Sequence, residues 1–437
     1  MTDEPLLVEI PGTAPAPYIK VIGVGNGGGN AVAHMARLGI PEANLLVCNT
    51  DSKQLADSPV PDQLQLGPGL GAGGDPKIGR KLAEESIDAI DKALDDGTKM
   101  VFITTGMGGG TGTGASPVVA REAKKRGILT VGVVTIPFLF ELSKKIDKAL
   151  DGIEVLAKEV DSLLVINNER LREIYPELSV LNAFRKADDV LAVAVKSIVE
   201  IITMHGIINL DFHDVRTILE GSGTAIISTG YGSGEGRVKA AIDDALRSPL
   251  LHNTDVFRST RFLMCISFNP DEAQSLQMAE YNEVSQFMAQ FDPDVVETKW
   301  GLETNSELGN RVKVTILASG FGSYLLDNEC SEESAEDDDK KWENKRRRER
   351  IYGTSDGTNA RKYLYIYEFG SDDLDDDLVS EMVDTTPTYT RSKDQLAEIQ
   401  RMARANAGIR HIDLSESPFT SDAPAADDAG TIDFSND

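Results

Sequence analysis

Cysteine is scarce in this chain and positive charge is outnumbered. Three cysteines, Cys48, Cys265 and Cys330, lie far apart in 437 residues. No pair has CxxC spacing, so neither a zinc ribbon nor a dithiol redox motif is expected, and the odd count fits a reducing compartment. Lys and Arg number 44 against 71 Asp and Glu, a net charge of −27. That deficit excludes nucleic acid as a main partner, because phosphate neutralisation needs a cationic surplus, and it opposes contact with an anionic membrane. The five histidines form no HExxH or HxxxH, so no metal-ligating set is expected. No run of about 18 apolar residues occurs, so direct membrane insertion is not expected. MTDEPLLVEIPG at the start has no apolar stretch of signal-peptide length. The expectation is a cytoplasmic chain. GxxxxGK[ST] is also missing; the nearest approach, Gly74 to Arg80, lacks the lysine, which excludes a P-loop.

Apolar segments alternate with Gly-rich turns up to about residue 325, and the composition then changes. Residues 325–437 hold 28 acidic and 14 basic residues, a net of −14, about half the total charge in a quarter of the length. Such a stretch buries too little apolar surface to offset ordering entropy, so most of it is expected to be a disordered acidic tail. RKYLYIYEF (361–369) alternates like a strand, and 393–408 has the pattern of a helix ending at Gly408. Residues 1–17 read as a flexible extension. Between these ends, strands at 18–25, 45–51, 100–105, 129–137 and 162–168 alternate with helices at 31–39, 78–94 and after 114. Continuous apolar strands of this kind belong to a parallel sheet covered on both faces, an α/β domain over 18–181. A helix over 182–206 would run about 37 Å at 1.5 Å per residue, long enough to join two domains. Residues 207–324 read as a smaller α+β domain, with strands at 261–269 and 311–321 and a helix near 273–290.

Two glycine clusters carry the chemistry. GVGNGGGNAV (23–32) satisfies GxGxxG at Gly23, Gly25 and Gly28 between a strand and a helix. Alone it fits a dinucleotide site, with Asp51 as ribose acid, another nucleotide fold, or a structural turn. The second cluster, GMGGGTGTG (106–114), also follows a strand and precedes a helix. Six glycines and two threonines in nine residues make a costly connector. Two phosphate loops suggest a polyphosphate held from both sides.

GGGTGTG resembles the signature of the tubulin/FtsZ superfamily, and GMGGGTGTGASPVVA (106–120) looks like its bacterial cell-division branch. GVGNGGGNAV, NTD (49–51), GLGAGGDP (69–76), TIPFLFE (135–141), NAFRKADDVL (182–191), NLDFHD (209–214) and ASGF (318–321) follow in order across about 18–324. The resemblance implies a tubulin-like fold that binds GTP or GDP. It assigns the phosphates to Gly27, Gly28, Asn30, Gly108, Gly109, Gly110, Thr111 and Gly112. Ala72 and Gly73 lie in the segment beside the γ-phosphate. Glu141 is implied as the ribose acid, Phe184 as the ring stacked on guanine, and Asp188 as the acid reading it. By residue type alone, Phe184 reads as helix packing. The resemblance further implies that Asn209, Asp211 and Asp214 enter the nucleotide site of the next subunit, where carboxylates orient the attacking water. Without it, DFHD reads as a solvated turn. The implied activity is an assembly-activated GTPase that forms head-to-tail homopolymers at the mid-cell division site. Mg²⁺ is expected, held by phosphate and water, and membrane-tethering division proteins are expected on the tail.

Four departures stand out. Asp75 occupies a position where Asn is frequent. Leu142 replaces a usual Gly. Lys145 takes an Arg position, which keeps the charge but gives up bidentate contact. TIDFSND (431–437) does not match the short docking peptide with which the family often ends. A weakly hydrolysing GTP-binding scaffold is the alternative these departures allow.

Overall fold

The computed structural model describes residues 18–40, 43–204, 206–248, 256–271, 274–291, 296–321, 344–348, 351–352, 364–367 and 409–412. The N-terminal extension, the expected 393–408 helix, TIDFSND and Cys330 lie outside them.

The chain starts as β1 (Ile19–Val24), α1 (Gly25–Leu38), β2 (Ala43–Asn49), α2 (Ser52–Ala56) and β3 (Asp62–Gln65). Helices α3 (Pro76–Glu84) and α4 (Ile87–Ala93) follow, then β4 (Met100–Gly106), α5 (Thr111–Lys125) and β5 (Leu129–Ile136). Next come α6 (Ser143–Ala157), β6 (Ser162–Asn167), α7 (Asn168–Ile174) and α8 (Val180–Thr203). Strands β1 to β6 are parallel in the order β3-β2-β1-β4-β5-β6.

Period-two alternation explains why these strands read as unbroken apolar runs. In β4, Met100 and Phe102 enter a core with Met35 of α1 and Leu191, Val195 and Ile198 of α8. Val101 and Ile103 enter the opposite core with Val118 and Val119 of α5 and Ile146 and Leu150 of α6. Helices α1 and α5 therefore leave neighbouring strands toward opposite faces. That is a topological switch point, where open α/β sheets form a crevice beyond the strands' carboxyl ends. Both glycine clusters sit there.

The remaining elements are β7 (Gly206–Ile208), α9 (Phe212–Leu219), β8 (Gly223–Gly232), α10 (Arg237–Leu246), β9 (Arg261–Phe268), α11 (Tyr281–Met288), β10 (Glu297–Thr304) and β11 (Val312–Ser319). Strand β11 is antiparallel to β8 and β9, and β10 is parallel to β9. Phe262, Met264 and Ile316 anchor a third core here. Ser162 and Leu163 of β6 pair with Gly223 and Thr224, so the two sheets are continuous through β8. Residues 364–367 (β12) and 409–412 (β13) form an antiparallel pair within a second compact unit.

Three boundaries differ from the sequence expectation. The helix expected over 78–94 breaks at Glu85–Ser86, where the Ser86 hydroxyl donates to Leu82 O (2.8 Å) and accepts from Gly67 N–H (3.1 Å). The long helix runs 180–203, begun by Ser179, whose Oγ accepts from Asn182 N–H. The first glycine cluster is not a loop before a helix, because Gly25–Asn30 already form the first turns of α1. Composition also placed residues 344–352 in the acidic tail, yet 344–348 and 351–352 are helical and Ile351 is buried in the α5/α6 core.

Candidate functional site

A cleft of about 570 Å³ opens at the switch point. Its floor is formed by two helix N-termini. α1 starts after Val24 and α5 after Gly110, and neither has a side-chain cap or an acidic residue in its first turn. Helices α2, α3, α7, α8 and α9 are capped by a side chain, whereas α4, α6, α10 and α11 are not, so what sets α1 and α5 apart is that residues of both starts line this cleft. An uncapped start leaves orphan N–H groups and the positive dipole end facing the cavity. Two of them side by side form a cradle for a polyanion. Asn49 Nδ2 donates to Asn26 Oδ1 (2.8 Å), and the Thr50 and Thr111 hydroxyls lie 2.6 Å apart, which ties β2 to both starts.

The cleft is lined by Gly27, Asn30, Ala72, Gly73, Gly109, Gly110, Thr111, Gly112, Glu141, Lys145, Phe184 and Asp188, all predicted from the sequence. Two of the residues expected to hold the nucleotide are not in the lining. Gly28 packs α1 onto β4, where a Cβ would lie 2.2 Å from Thr104 O. Gly108 shapes the turn instead, its N–H donating to Thr113 Oγ1 (2.8 Å). Asp75 caps α3 by accepting from Lys77 N–H (2.9 Å), a bond that the frequent Asn would make equally well, so capping does not explain the departure.

At the far wall Phe184 is 40% exposed at the rim, edge-on to Phe138 and Phe140. Burial raises the Asp188 carboxyl to about 6, against the opposing pull of His34 and Arg37. Asn168 lines the same cleft and was not singled out from the sequence. It is 5% exposed, and its Oδ1 has no hydrogen-bond partner among the described residues. A buried acceptor left open beside an aromatic ring and a carboxylate is suited to a base with N–H groups. Its only sequence signal was an Asn pair ending a strand.

Glu141 and Lys145 pair across one turn, and the Glu141 Oε1 accepts from Phe138 N–H (2.9 Å). Leu142 between them has φ 72 and ψ 155, the only non-glycine with positive φ among the described residues. That region is populated essentially by Gly and costs about 1–3 kcal/mol otherwise.

Asn209, Asp211 and Asp214 do not reach this cleft. Asn209 Oδ1 accepts from Gly206 N–H (2.7 Å). Asp211 and Asp214 form a reciprocal capping box that starts α9: Asp214 N–H donates to Asp211 Oδ1 (3.0 Å), and Asp211 N–H donates to Asp214 Oδ2 (3.1 Å). Lys299 Nζ is 3.1 Å from Asp214 Oδ1. Partial burial pushes Asp214 upward, but the Asp211 amide and Lys299 hold it below the usual carboxylate range. The Phe212 ring packs edge-on to Tyr18, 6.0 Å between centroids. Tyr18 precedes β1, whereas the cleft lies beyond its last residue. The six-residue strand separates the two sites by about 20 Å.

Residues 18–176 match the family model described as Tubulin/FtsZ family, GTPase domain. Residues 223–322 match FtsZ family, C-terminal domain, and 361–406 match FtsZ, C-terminal. The cell division protein FtsZ of Porphyromonas gingivalis is 52% identical over 308 residues, 69% of this chain and 67% of that protein. That of Azotobacter vinelandii is 46% identical over 310 residues, 70% and 77% of the two chains. A solved FtsZ dimer from M. jannaschii matches with TM-score 0.64 at 40% identity, over 70% of this chain and 89% of that one. CetZ1 from Haloferax volcanii, a GDP-bound monomer, shares the fold at 20% identity and TM-score 0.60, over 69% and 94%.

Proposed function

The chain belongs to the tubulin/FtsZ family, in its FtsZ branch, and from that premise we propose that its hydrolytic site is completed only between two copies. As a member of that family it binds and hydrolyses GTP, polymerises and serves bacterial cell division.

The observation that carries the proposal is the separation of Asp211 and Asp214 from the cleft by the length of β1. One chain cannot bring its own carboxylates to a nucleotide seated on its own helix starts. Head-to-tail stacking brings the lower end of one copy onto the cleft of the next. Asn209, Asp211 and Asp214 then meet the terminal phosphate in trans. Asn209 and Asp211 are exposed. The Asp211 and Asp214 carboxylates orient and polarise the attacking water in line with the γ-phosphate, Asp214 being held below the usual carboxylate range.

In the same reading, the amides of Gly27, Gly109, Gly110, Thr111 and Gly112 hold the phosphates. Glu141 meets the ribose, Phe184 stacks on the base, and Asp188 with Asn168 reads guanine N–H groups. Mg²⁺ accompanies the triphosphate through phosphate oxygens and water; no cluster of three metal-ligating side chains occurs among the described residues. The polymer acts at mid-cell, attached by membrane-tethering division proteins that bind the C-terminal stretch.

Complementation tests the shared site. Asp188→Ala removes the base reader, and Asp214→Asn removes the trans carboxylate. Each variant alone is expected to be inactive. Mixing them creates interfaces with one intact nucleotide site and one intact loop, so phosphate release should return. A mixture as inactive as its components would refute the trans arrangement.

A further inference from the structure

The basic run KRRRER (345–350) has no part in the reading above, yet its Arg347 and Arg348 dock on α6, the helix that contributes Lys145 to the cleft. Asp147, Asp151 and Glu154 form an acidic stripe along one face of α6. Arg347 donates to Asp151 Oδ1 (2.9 Å) and Glu154 Oε1 (2.6 Å). Arg348 Nη1 lies 2.8 Å from both Asp147 oxygens. Arg347–Glu154 and Arg348–Asp147 are mostly buried on both sides and so are worth more than exposed surface pairs, whereas Asp151 is exposed. Beyond them, Ile351 joins the α5/α6 core and Tyr352 packs against it.

The contacts at the end of this segment land on the cleft wall. Tyr352 Oη donates to Pro137 O (2.7 Å), and Pro137 lines the cleft. Asn167 Nδ2 donates to Ile351 O (3.1 Å), while its Oδ1 accepts from Glu169 N–H (3.0 Å) and caps α7. Glu169 Oε2 in turn accepts from Leu139 N–H (3.0 Å). Pro137 follows β5 and leads to Glu141, and Asn167 ends β6 just before Asn168, two residues proposed to meet ribose and base. Burial, with Glu169 and Glu141 nearby, raises the Tyr352 hydroxyl well above its ordinary range, so it remains a donor.

We propose that residues 344–348 with Ile351 and Tyr352 form a strap that positions the ribose-and-base wall of the cleft, with Tyr352 and Asn167 as positioning residues, so that nucleotide binding and strap docking reinforce each other. The inference rests on the nucleotide reading of the cleft. Among the described residues, none of the strap lines the cleft. Loss of the strap therefore weakens nucleotide retention and leaves turnover at saturating GTP unchanged. Coupling free energy is reciprocal, so bound nucleotide must also hold the strap down.

The test uses the full chain below its assembly concentration, with a fluorescent GDP analogue to measure dissociation. Tyr352→Phe is expected to speed release by about three- to tenfold, the range of one neutral hydrogen bond. Arg348→Glu should do the same, and adding Asp147→Arg should restore the wild-type rate by re-forming the pair in reverse. Trypsin cleavage within 345–350 should slow when GDP is added. Unchanged release in both single variants, or cleavage indifferent to GDP, would overturn the strap while wild type still binds GDP. A wild-type chain that binds no guanine nucleotide would sink the nucleotide reading and the strap together. If Arg348→Glu lowers the melting temperature and the reversed pair restores stability without restoring release, the segment is structural only and the proposal fails.

Discussion

Gly25 and Gly112 meet so closely that a Cβ on Gly25 would lie 2.8 Å from the Gly112 amide nitrogen. This contact places the starts of α1 and α5 side by side, each with its N–H groups uncapped. Gly25 also has φ 71, which other residues adopt at a cost of roughly 1–2 kcal/mol. Gly25→Ala is therefore expected to separate the two helix starts and lower guanine-nucleotide affinity by at least about tenfold, one 1.4 kcal/mol step. Calorimetric titration with GDP checks this. Wild-type affinity in the variant would mean that the paired helix starts do not form the cradle.

Leu142 is a local misfit that substitution should relieve. Leu142→Gly removes about 1–3 kcal/mol of backbone strain and forfeits about 0.5–1 kcal/mol through the entropy of the unfolded chain. A net gain of up to about 2.5 kcal/mol is expected as a higher urea midpoint with unchanged m. A lower midpoint would show that the exposed Leu142 side chain is held by contacts that outweigh the strain.

The two roles of Asp214 separate by choice of substituent. Asp211 caps α9 in either variant, because it accepts from the backbone N–H of residue 214. Asp214→Asn also keeps an oxygen to accept from Asp211 N–H, whereas Asp214→Ala loses that reciprocal bond, at a cost of about 1 kcal/mol. Both variants should bind GTP and still pellet as polymer, with hydrolysis reduced at least about 100-fold, the low end for a positioned acid–base group. Normal hydrolysis in the Asn variant would remove the carboxylate from the mechanism.

Asp188 gives the nucleotide site a pH dependence. Burial raises its carboxyl from 3.8 to about 6, so it takes up a proton as pH falls through 6. Only the ionised form accepts two N–H groups. GTP affinity should fall about tenfold per pH unit below 6 and be flat above it. Stability runs the other way. The folded chain without nucleotide binds this proton more tightly than the unfolded chain, so the group stabilises the fold as pH drops from about 6 toward 3.8. That contribution is absent above 6. Affinity measured by equilibrium dialysis between pH 5 and 7.5 decides the point; a flat profile would mean that Asp188 does not read the base.

The parallel sheet was legible because β4 and β5 are buried on both faces, which writes an unbroken apolar run into the sequence. The cradle was legible because two glycine clusters each follow a strand. The position of Gly28 was not, since a glycine that admits phosphate and one that admits a neighbouring strand look alike in sequence. The break at Ser86 escaped because it depends on a bond to Gly67, a distant residue. The strap at 344–348 and 351–352 was hidden by composition: its arginines lie in an acidic stretch, and their partners Asp147, Asp151 and Glu154 are about 200 residues away. Asn168 was overlooked because an unpartnered oxygen is a property of the fold alone. The resemblance supplied what local chemistry could not, namely the proposal that an ordinary-looking turn at 209–214 works in a second copy.

That last point is tested most directly by the rate of phosphate release per chain, measured against protein concentration at saturating GTP. A site completed between copies predicts almost no turnover at low concentration, then a steep rise once polymer forms. Turnover per chain that is constant across the range, with polymer present only at its upper end, would contradict it.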